Sequence, residues 1–151
     1  MYVNILPGWA YGRAGPGWQS MQVQSQNHFS MKTILVVEDE PVMREELARI
    51  FEFEGYGVLT ACDGEDALVQ LRTIRPSLIL CDLGMPKLDG YGVLAWVREH
   101  QELSQTPFLV LTAFRHDGSQ RRAEELGCDG YITKPFDIDQ LLGEVARHVN
   151  L

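Results

Sequence analysis

Polar residues follow four separate apolar runs in this sequence, and the most distinctive of them is Asp82. Asp82 comes directly after the apolar residues 78–81 and opens a turn that is rich in Gly, Pro and Asp. Three other apolar runs end in chemically useful side chains: Glu38 and Asp39, Thr112, and Lys134. The functional crevice of an open parallel sheet lies outside the carboxyl ends of its strands, so these side chains should converge there. The sequence therefore predicts a site built around a reactive carboxylate.

A cation is needed to hold these acids together. Three carboxylates at close range repel one another and raise each other's proton affinity, so the pocket is tenable at neutral pH only with a bound cation. Ligands that are all oxygen atoms indicate Mg²⁺, with Asp39 and Asp82 as direct ligands. The alternative is that Glu38, Asp39 and Glu40 form a solvated acidic run that caps the next helix. Glu40 fits that alternative better than its two neighbours.

The segments that position these residues alternate in type from Met31 onward. Short apolar runs and longer amphipathic segments follow one another five times, which is typical of a doubly wound α/β fold. Continuous runs of Val, Ile and Leu indicate central strands, whereas the mixed residues 56–61 fit an edge strand. We predict strands near residues 33–38, 56–61, 77–82, 107–112 and 129–133, and helices near residues 41–53, 64–73, 91–100, 116–126 and 137–149.

Composition separates a short tail from one acidic domain. Residues 1–30 contain four glycines and two prolines without a helical or strand period, which favours a flexible extension before a domain at residues 31–151. The chain has 21 acidic residues against 13 Lys and Arg, and no basic cluster follows a predicted helix, so direct DNA binding is not expected. No apolar run approaches 18 residues, and three cysteines lack metal-site spacing, so we expect a cytoplasmic protein without a membrane segment.

The order of these motifs resembles the receiver domain of two-component response regulators. The resemblance covers residues 31–151 and includes Met85-Pro86, Asp89-Gly90 and Lys134-Pro135. It implies a flavodoxin-like, three-layer fold with a five-stranded parallel sheet in the order 2-1-3-4-5. It also implies a cis peptide bond between Lys134 and Pro135.

The resemblance implies a role for each site residue. Asp82 is then the phosphoacceptor, which forms an aspartyl phosphate with a phosphoryl group from a histidine kinase or a histidine phosphotransfer protein. The Gly84 backbone carbonyl joins Asp39 and Asp82 as a Mg²⁺ ligand, and Glu38 acts through a bound water. Lys134 supplies a fixed positive charge to the phosphoryl oxygens, although an ordinary surface lysine is the plainer alternative.

Two further residues are implied to form a switch. Thr112 would donate its hydroxyl to a new phosphoryl oxygen, and Tyr131, three residues before Lys134, would turn inward as Thr112 moves. The alternatives are that Thr112 caps the next helix and that Tyr131 is a half-buried strand residue. Phe114 and Cys128 depart from the usual pattern, and Phe114 stands where water access to the acyl phosphate is affected.

These features together predict a single-domain response regulator, because the sequence ends with the fifth predicted helix. Its output would be phosphorylation-dependent binding of a downstream protein, with a phosphorylation-dependent homodimer as one option. We expect no enzyme activity beyond self-phosphorylation from a phosphodonor and autodephosphorylation. One alternative is a phosphorylation-independent adaptor, which should have a degenerate acidic pocket. Another is a phosphatase with an aspartate nucleophile, which needs a second acid where Gly84 stands.

Overall fold

A computed structural model describes residues 30–115 and 117–149 of the chain. The flexible extension predicted for residues 1–30 lies almost entirely outside the described residues. In the described part, strands and helices alternate along the chain as the sequence predicts. The elements are β1 (Thr33–Val37), α1 (Pro41–Phe53), β2 (Gly57–Ala61), α2 (Gly64–Leu71), β3 (Leu78–Cys81), α3 (Gly90–Glu99), β4 (Phe108–Thr112), α4 (Asp117–Glu125), β5 (Gly130–Thr133) and α5 (Ile138–Val149).

The five strands form one parallel sheet in the order β2-β1-β3-β4-β5, which confirms the predicted fold class. Val37, the last residue of β1, pairs with Ala61 of β2 and with Cys81 of β3, so the carboxyl ends of these three strands lie level. The chain moves from β1 to β2 on one side and returns to β3 on the other. The topological switch point therefore falls between β1 and β3, directly after Val37 and Cys81.

Helices cover both faces of the sheet. Successive strand residues point to opposite faces, so Leu35 and Ile79 pack with α2 and α3, while Ile34 and Leu80 pack with α1 and α5. Burial on both faces explains why the central strands read as continuous apolar runs. Strand β2 is at the edge, as its mixed composition predicts, and its Leu59 is partly exposed.

The predicted element boundaries lie within two residues of the observed ones. Helix α3 begins one residue earlier than predicted because the Asp89 side chain accepts a hydrogen bond from the Gly92 N–H and caps the helix at Gly90. Helix α2 ends two residues earlier than predicted, where the Thr73 N–H closes a tighter turn on the Gln70 carbonyl. Among the described residues, no helix has the length and apolar content needed to cross a membrane.

Candidate functional site

Three acids converge at the carboxyl ends of β1 and β3. Glu38 and Asp39 follow β1, Asp82 follows β3, and one carboxylate oxygen from each lies within 4.8 Å of the others. Glu38 is 2% exposed and Asp82 is 9% exposed, whereas Asp39 is more accessible to solvent. The cluster is therefore buried at its base and open on the side of Asp39.

Lys134 follows β5, the strand at the opposite edge of the sheet from β2, and its side chain reaches this cluster. Its ammonium lies 2.8 Å from Glu38 Oε2 and 3.0 Å from Asp82 Oδ2. Burial alone would lower the pKa of Lys134, but hydrogen bonds and attraction from the two carboxylates outweigh it and raise this pKa above its usual value. The predicted cis peptide bond between Lys134 and Pro135 is present. Lys134 is thus a charged donor held within the site, not a free surface lysine.

The electrostatics of the cluster favour a divalent cation. Burial raises the pKa of Glu38, and the neighbouring Lys134 offsets this rise only in part. When all groups are charged, three carboxylates and one ammonium leave a formal charge of −2 in a small volume. The donor set contains only oxygen atoms, which suits Mg²⁺. The residues present therefore fit the magnesium ion that the sequence predicts.

The loop after β3 holds the Asp82 side chain in place. The Gly84 N–H donates a hydrogen bond of 3.2 Å to Asp82 Oδ1. Gly90 returns so close to the chain that a Cβ at this position would lie 2.1 Å from the Asp82 carbonyl oxygen. Only glycine fits there, so the Asp89-Gly90 pair combines a helix cap with a close backbone approach. Earlier in the same loop, Lys87 adopts a positive φ of 65° and pairs with Asp63 at 3.2 Å.

The two predicted switch residues meet in the loop between β4 and α4. Thr112 is buried, and its hydroxyl oxygen accepts a hydrogen bond of 3.3 Å from the Phe114 N–H. The Tyr131 hydroxyl donates a hydrogen bond of 2.7 Å to the Phe114 carbonyl. Burial raises the pKa of Tyr131 to about 12, so this hydroxyl stays a neutral donor. Both side chains therefore contact the same residue of the loop.

Phe114 also lies over the loop that follows the acceptor strand. A Cβ on Gly84 would come within 2.9 Å of the Phe114 ring, so the ring occupies the space beside this glycine. The ring is 43% exposed. It therefore lies beside the residue two positions after Asp82 and remains partly open to solvent.

Two arginines contact the site although no motif or spacing in the sequence indicates it. Arg44 of α1 donates from its Nη1 atom to the carbonyls of Glu38 and Asp39, at 2.8 and 3.3 Å. Arg115 donates to the Lys134 carbonyl at 2.7 Å. All three bonds go to main-chain atoms of site residues, and only the folded backbone brings those atoms within reach.

The acidic run after β1 divides between two roles. The Glu40 side chain caps α1 by accepting hydrogen bonds from the Val42 and Met43 N–H groups, as the alternative interpretation of this run predicts. Glu38 and Asp39 instead lie with Asp82. The capping interpretation is thus right for Glu40 alone.

This chain belongs to the response regulator receiver domain family, whose model matches residues 34–146. The polar-differentiation response regulator DivK of Brucella anthropi is 30% identical over 118 residues, which cover 78% of this chain and 96% of DivK. A probable transcriptional regulator of Porphyridium aerugineum is 42% identical over 120 residues, or 78% of this chain and 49% of that protein. The chain thus spans about half the length of such regulators.

A solved receiver domain has the same fold as this chain. The receiver domain of a sensor histidine kinase from Pseudomonas aeruginosa PAO1 superimposes with a TM-score of 0.75 at 29% identity, over 81% of this chain and all of that domain. That structure has a magnesium ion coordinated in its active site cleft. The chain is therefore a receiver domain of two-component signalling, a class that takes phosphoryl groups from histidine kinases.

Proposed function

We propose that this receiver domain accepts a phosphoryl group on Asp82 in a Mg²⁺-dependent reaction and acts as a phosphorylation-dependent protein-binding switch. The observation that carries the proposal is the convergence of three carboxylates with the Lys134 ammonium at the switch point of the sheet. The donor is a phosphohistidine on a histidine kinase or a histidine phosphotransfer protein. The reaction forms a bond between a carboxylate oxygen of Asp82 and phosphorus, while the bond between phosphorus and nitrogen breaks and the histidine nitrogen takes up a proton.

The residues of the site divide the work of this transfer. Asp39, Asp82 and the Gly84 carbonyl would hold Mg²⁺ directly, and Glu38 would hold it through water; the bound ion neutralises charge on the transferred group. The Gly84 N–H fixes the Asp82 carboxylate at one oxygen. Lys134, now paired with Glu38 and Asp82, can move its ammonium onto the phosphoryl oxygens as charge accumulates there.

Thr112 and Tyr131 supply the conformational response. A phosphoryl oxygen on Asp82 would accept a hydrogen bond from the Thr112 hydroxyl and draw it toward the site, away from the Phe114 N–H that now donates to the hydroxyl oxygen. The Tyr131 hydroxyl donates to the carbonyl of the same residue, Phe114. A shift of Phe114 would therefore change the conformation of the loop before α4 and the position of the Tyr131 side chain on β5. This coupling converts one charge change into a new binding surface for a downstream protein or a second copy of the chain.

The scope of the activity follows from the site and from the relatives. We propose a stand-alone receiver, since this chain aligns with 96% of DivK, without enzyme activity beyond its own phosphorylation and dephosphorylation. We also propose that the protein acts in the cytoplasm. Its three cysteines are free thiols, as is usual in that compartment, and histidine kinases and histidine phosphotransfer proteins present their phosphohistidine there. A phosphorylation-independent adaptor has no need of a complete acidic cluster with its lysine, and a phosphatase needs an acid where Gly84 stands.

Labelling by a small phosphodonor tests the acceptor role. Wild-type protein with acetyl phosphate and Mg²⁺ should gain one phosphoryl group by intact mass, and EDTA should prevent it. Asp82→Asn should not be labelled, because an amide is a poor nucleophile and a neutral ligand. The matched control is Asp139→Asn, which removes an exposed carboxylate from α5 and should label normally. Equal labelling of Asp82→Asn would overturn the assignment.

Hydrogen exchange tests the switch separately. Wild-type protein bound to beryllofluoride should change its exchange over residues 113–136, and Thr112→Ala should still be labelled on Asp82 but lose most of that change. Unchanged exchange in the wild-type protein would mean that the signal leaves by another face.

A further inference from the structure

Arg44 makes an unusual pair of contacts with the backbone of the site. A single guanidinium nitrogen, Nη1, donates to the carbonyls of both Glu38 and Asp39, at 2.8 and 3.3 Å. These carbonyls belong to the two peptide groups on either side of the Asp39 Cα atom. Arg44 makes no salt bridge within the described part of the chain. Its guanidinium instead donates hydrogen bonds to these two main-chain oxygens.

Asp39 is the acid that most needs such support. The Glu38 carboxylate is held by Lys134 and by the Glu40 N–H, and the Asp82 carboxylate is held by Lys134 and by the Gly84 N–H. The Asp39 carboxylate has no hydrogen-bond partner among the described residues. Its direction therefore depends on its backbone, and the backbone has left the sheet after Glu38.

We propose that Arg44 is a positioning residue for the metal site. By holding both peptide groups that flank Asp39, it aims the Asp39 carboxylate at Glu38 and Asp82 before the ion arrives. This inference rests on the proposed Mg²⁺-dependent function and adds to it a residue that touches neither the ion nor the phosphoryl group. Partners of metal ligands set the orientation and affinity of a site in this way.

The chemistry of arginine matters for this role. The two hydrogens on Nη1 lie in the plane of the guanidinium, so this one nitrogen can donate to both carbonyls in a fixed direction. A lysine at this position keeps the charge but is a flexible point donor, and a methionine keeps much of the stem without charge or donors. The two substitutions therefore separate the charge of Arg44 from its geometry.

The experiment measures Mg²⁺ affinity and the labelling rate in Arg44→Met, Arg44→Lys and wild-type protein. The control is Arg49→Met, which removes a charge from the same helix where the side chain is 80% exposed and pairs weakly with Glu45 at 3.7 Å. Calorimetric titration gives the Kd for Mg²⁺, and melting in EDTA gives the stability of each variant without metal. Acetyl phosphate labelling is then followed at saturating Mg²⁺.

We expect Arg44→Met to weaken Mg²⁺ binding about tenfold, Arg44→Lys to recover only part of this loss, and Arg49→Met to bind as wild type. At saturating Mg²⁺ the labelling rate of Arg44→Met should return close to that of wild type, because the ion then selects the aimed conformation of Asp39. A lower melting temperature with an unchanged Kd would mean a purely structural role and would overturn the inference. Equal losses in Arg44→Met and Arg49→Met would also overturn it, since the loss would then not depend on the contacts of Arg44 with the Glu38 and Asp39 carbonyls.

The wild-type arm separates this inference from the function on which it rests. Wild-type protein that binds no Mg²⁺ and takes no label would refute the proposed function, and the role of Arg44 with it. Wild-type protein that binds and is labelled, beside an Arg44→Met variant with the same Kd, would refute the role of Arg44 alone. Should Arg44→Met fold too poorly to titrate, Arg44→Lys decides, and a Kd equal to that of wild type would favour charge over geometry and overturn the inference.

Discussion

Replacing Lys134 by methionine should destabilise the metal-free protein strongly at neutral pH. The side chains of Glu38 and Asp82 are only 3% and 11% exposed, and Lys134 is their shared cation. Removing one partner of a buried ion pair typically costs about 3–5 kcal/mol, because a buried charge is left uncompensated. The cluster is open on the side of Asp39, so we expect the low end, about 3 kcal/mol. For a domain of this size that corresponds to a loss of roughly 10 °C in melting temperature.

The loss should depend on pH in a defined direction. Burial already raises the pKa of Glu38 above 4.5 in the wild-type protein, and removing Lys134 takes away the group that limits this rise. The folded variant then binds a proton more tightly than the unfolded chain does, so its stability increases as the pH falls. The destabilisation should thus be complete at neutral pH and shrink as the pH falls through the folded-state pKa of Glu38. Mg²⁺ at a hundredfold excess over Kd should stabilise either protein by about 2.7 kcal/mol, so the loss should shrink only to the extent that the variant, which lacks the competing ammonium, binds Mg²⁺ more tightly than wild type.

Thermal melts in EDTA and in Mg²⁺, taken from about pH 8 to about pH 5, give the required values. The matched control is Lys87→Met, which breaks the pair with Asp63 where the lysine is 59% exposed. Asp63 is itself buried, but the pair is open to water on the side of the lysine and the Asp66 N–H still donates to Asp63, so this variant should lose less than Lys134→Met. The electrostatic reasoning is refuted if Lys134→Met loses no more stability than Lys87→Met, or if its loss is the same at every pH.

Three other changes have expected outcomes. Gly90→Ala should destabilise the fold by about 3 kcal/mol or more in denaturant melts, because its Cβ would meet a backbone oxygen 2.1 Å away, whereas Gly143→Ala has open space and should be neutral or stabilising. Phe114→Ala should shorten the lifetime of the phosphorylated state by a factor of a few, since a ring beside Gly84 would limit the approach of water to a phosphoryl group on Asp82; an unchanged decay after donor removal would contradict this. Tyr131→Phe should cost about 1 kcal/mol and raise hydrogen exchange in the loop before α4, because the 2.7 Å hydrogen bond to the Phe114 carbonyl is lost.

The sequence predicts the fold and the convergence of the acids because both depend on simple regularities. Period and composition identify the strands, and parallel strands necessarily bring the residues after Val37 and Cys81 to one edge of the sheet. The position of Lys134 follows in the same way from the end of β5. The resemblance to receiver domains supplies the strand order, which periodicity alone does not determine.

The supporting contacts could not be predicted from the sequence for a physical reason. Arg44 and Arg115 bind main-chain carbonyls, which every residue carries, so no residue type marks the partner. The placement of the Phe114 ring beside Gly84 depends on the path of two loops that are far apart in the chain. Such contacts are fixed by the folded backbone, and they determine how firmly the predicted site residues are held.

The most direct measurement of the central claim is the position of the phosphoryl group in the chain. Borohydride reduces an acyl phosphate to an alcohol, so a phosphorylated aspartate is recovered as homoserine in tandem mass spectrometry. Wild-type protein treated with acetyl phosphate and Mg²⁺ should carry this mark at Asp82 alone, and treatment in EDTA should leave no mark. A mark at Glu38 or Asp39, or none at any acid, would contradict the assignment of Asp82 as the phosphoryl acceptor.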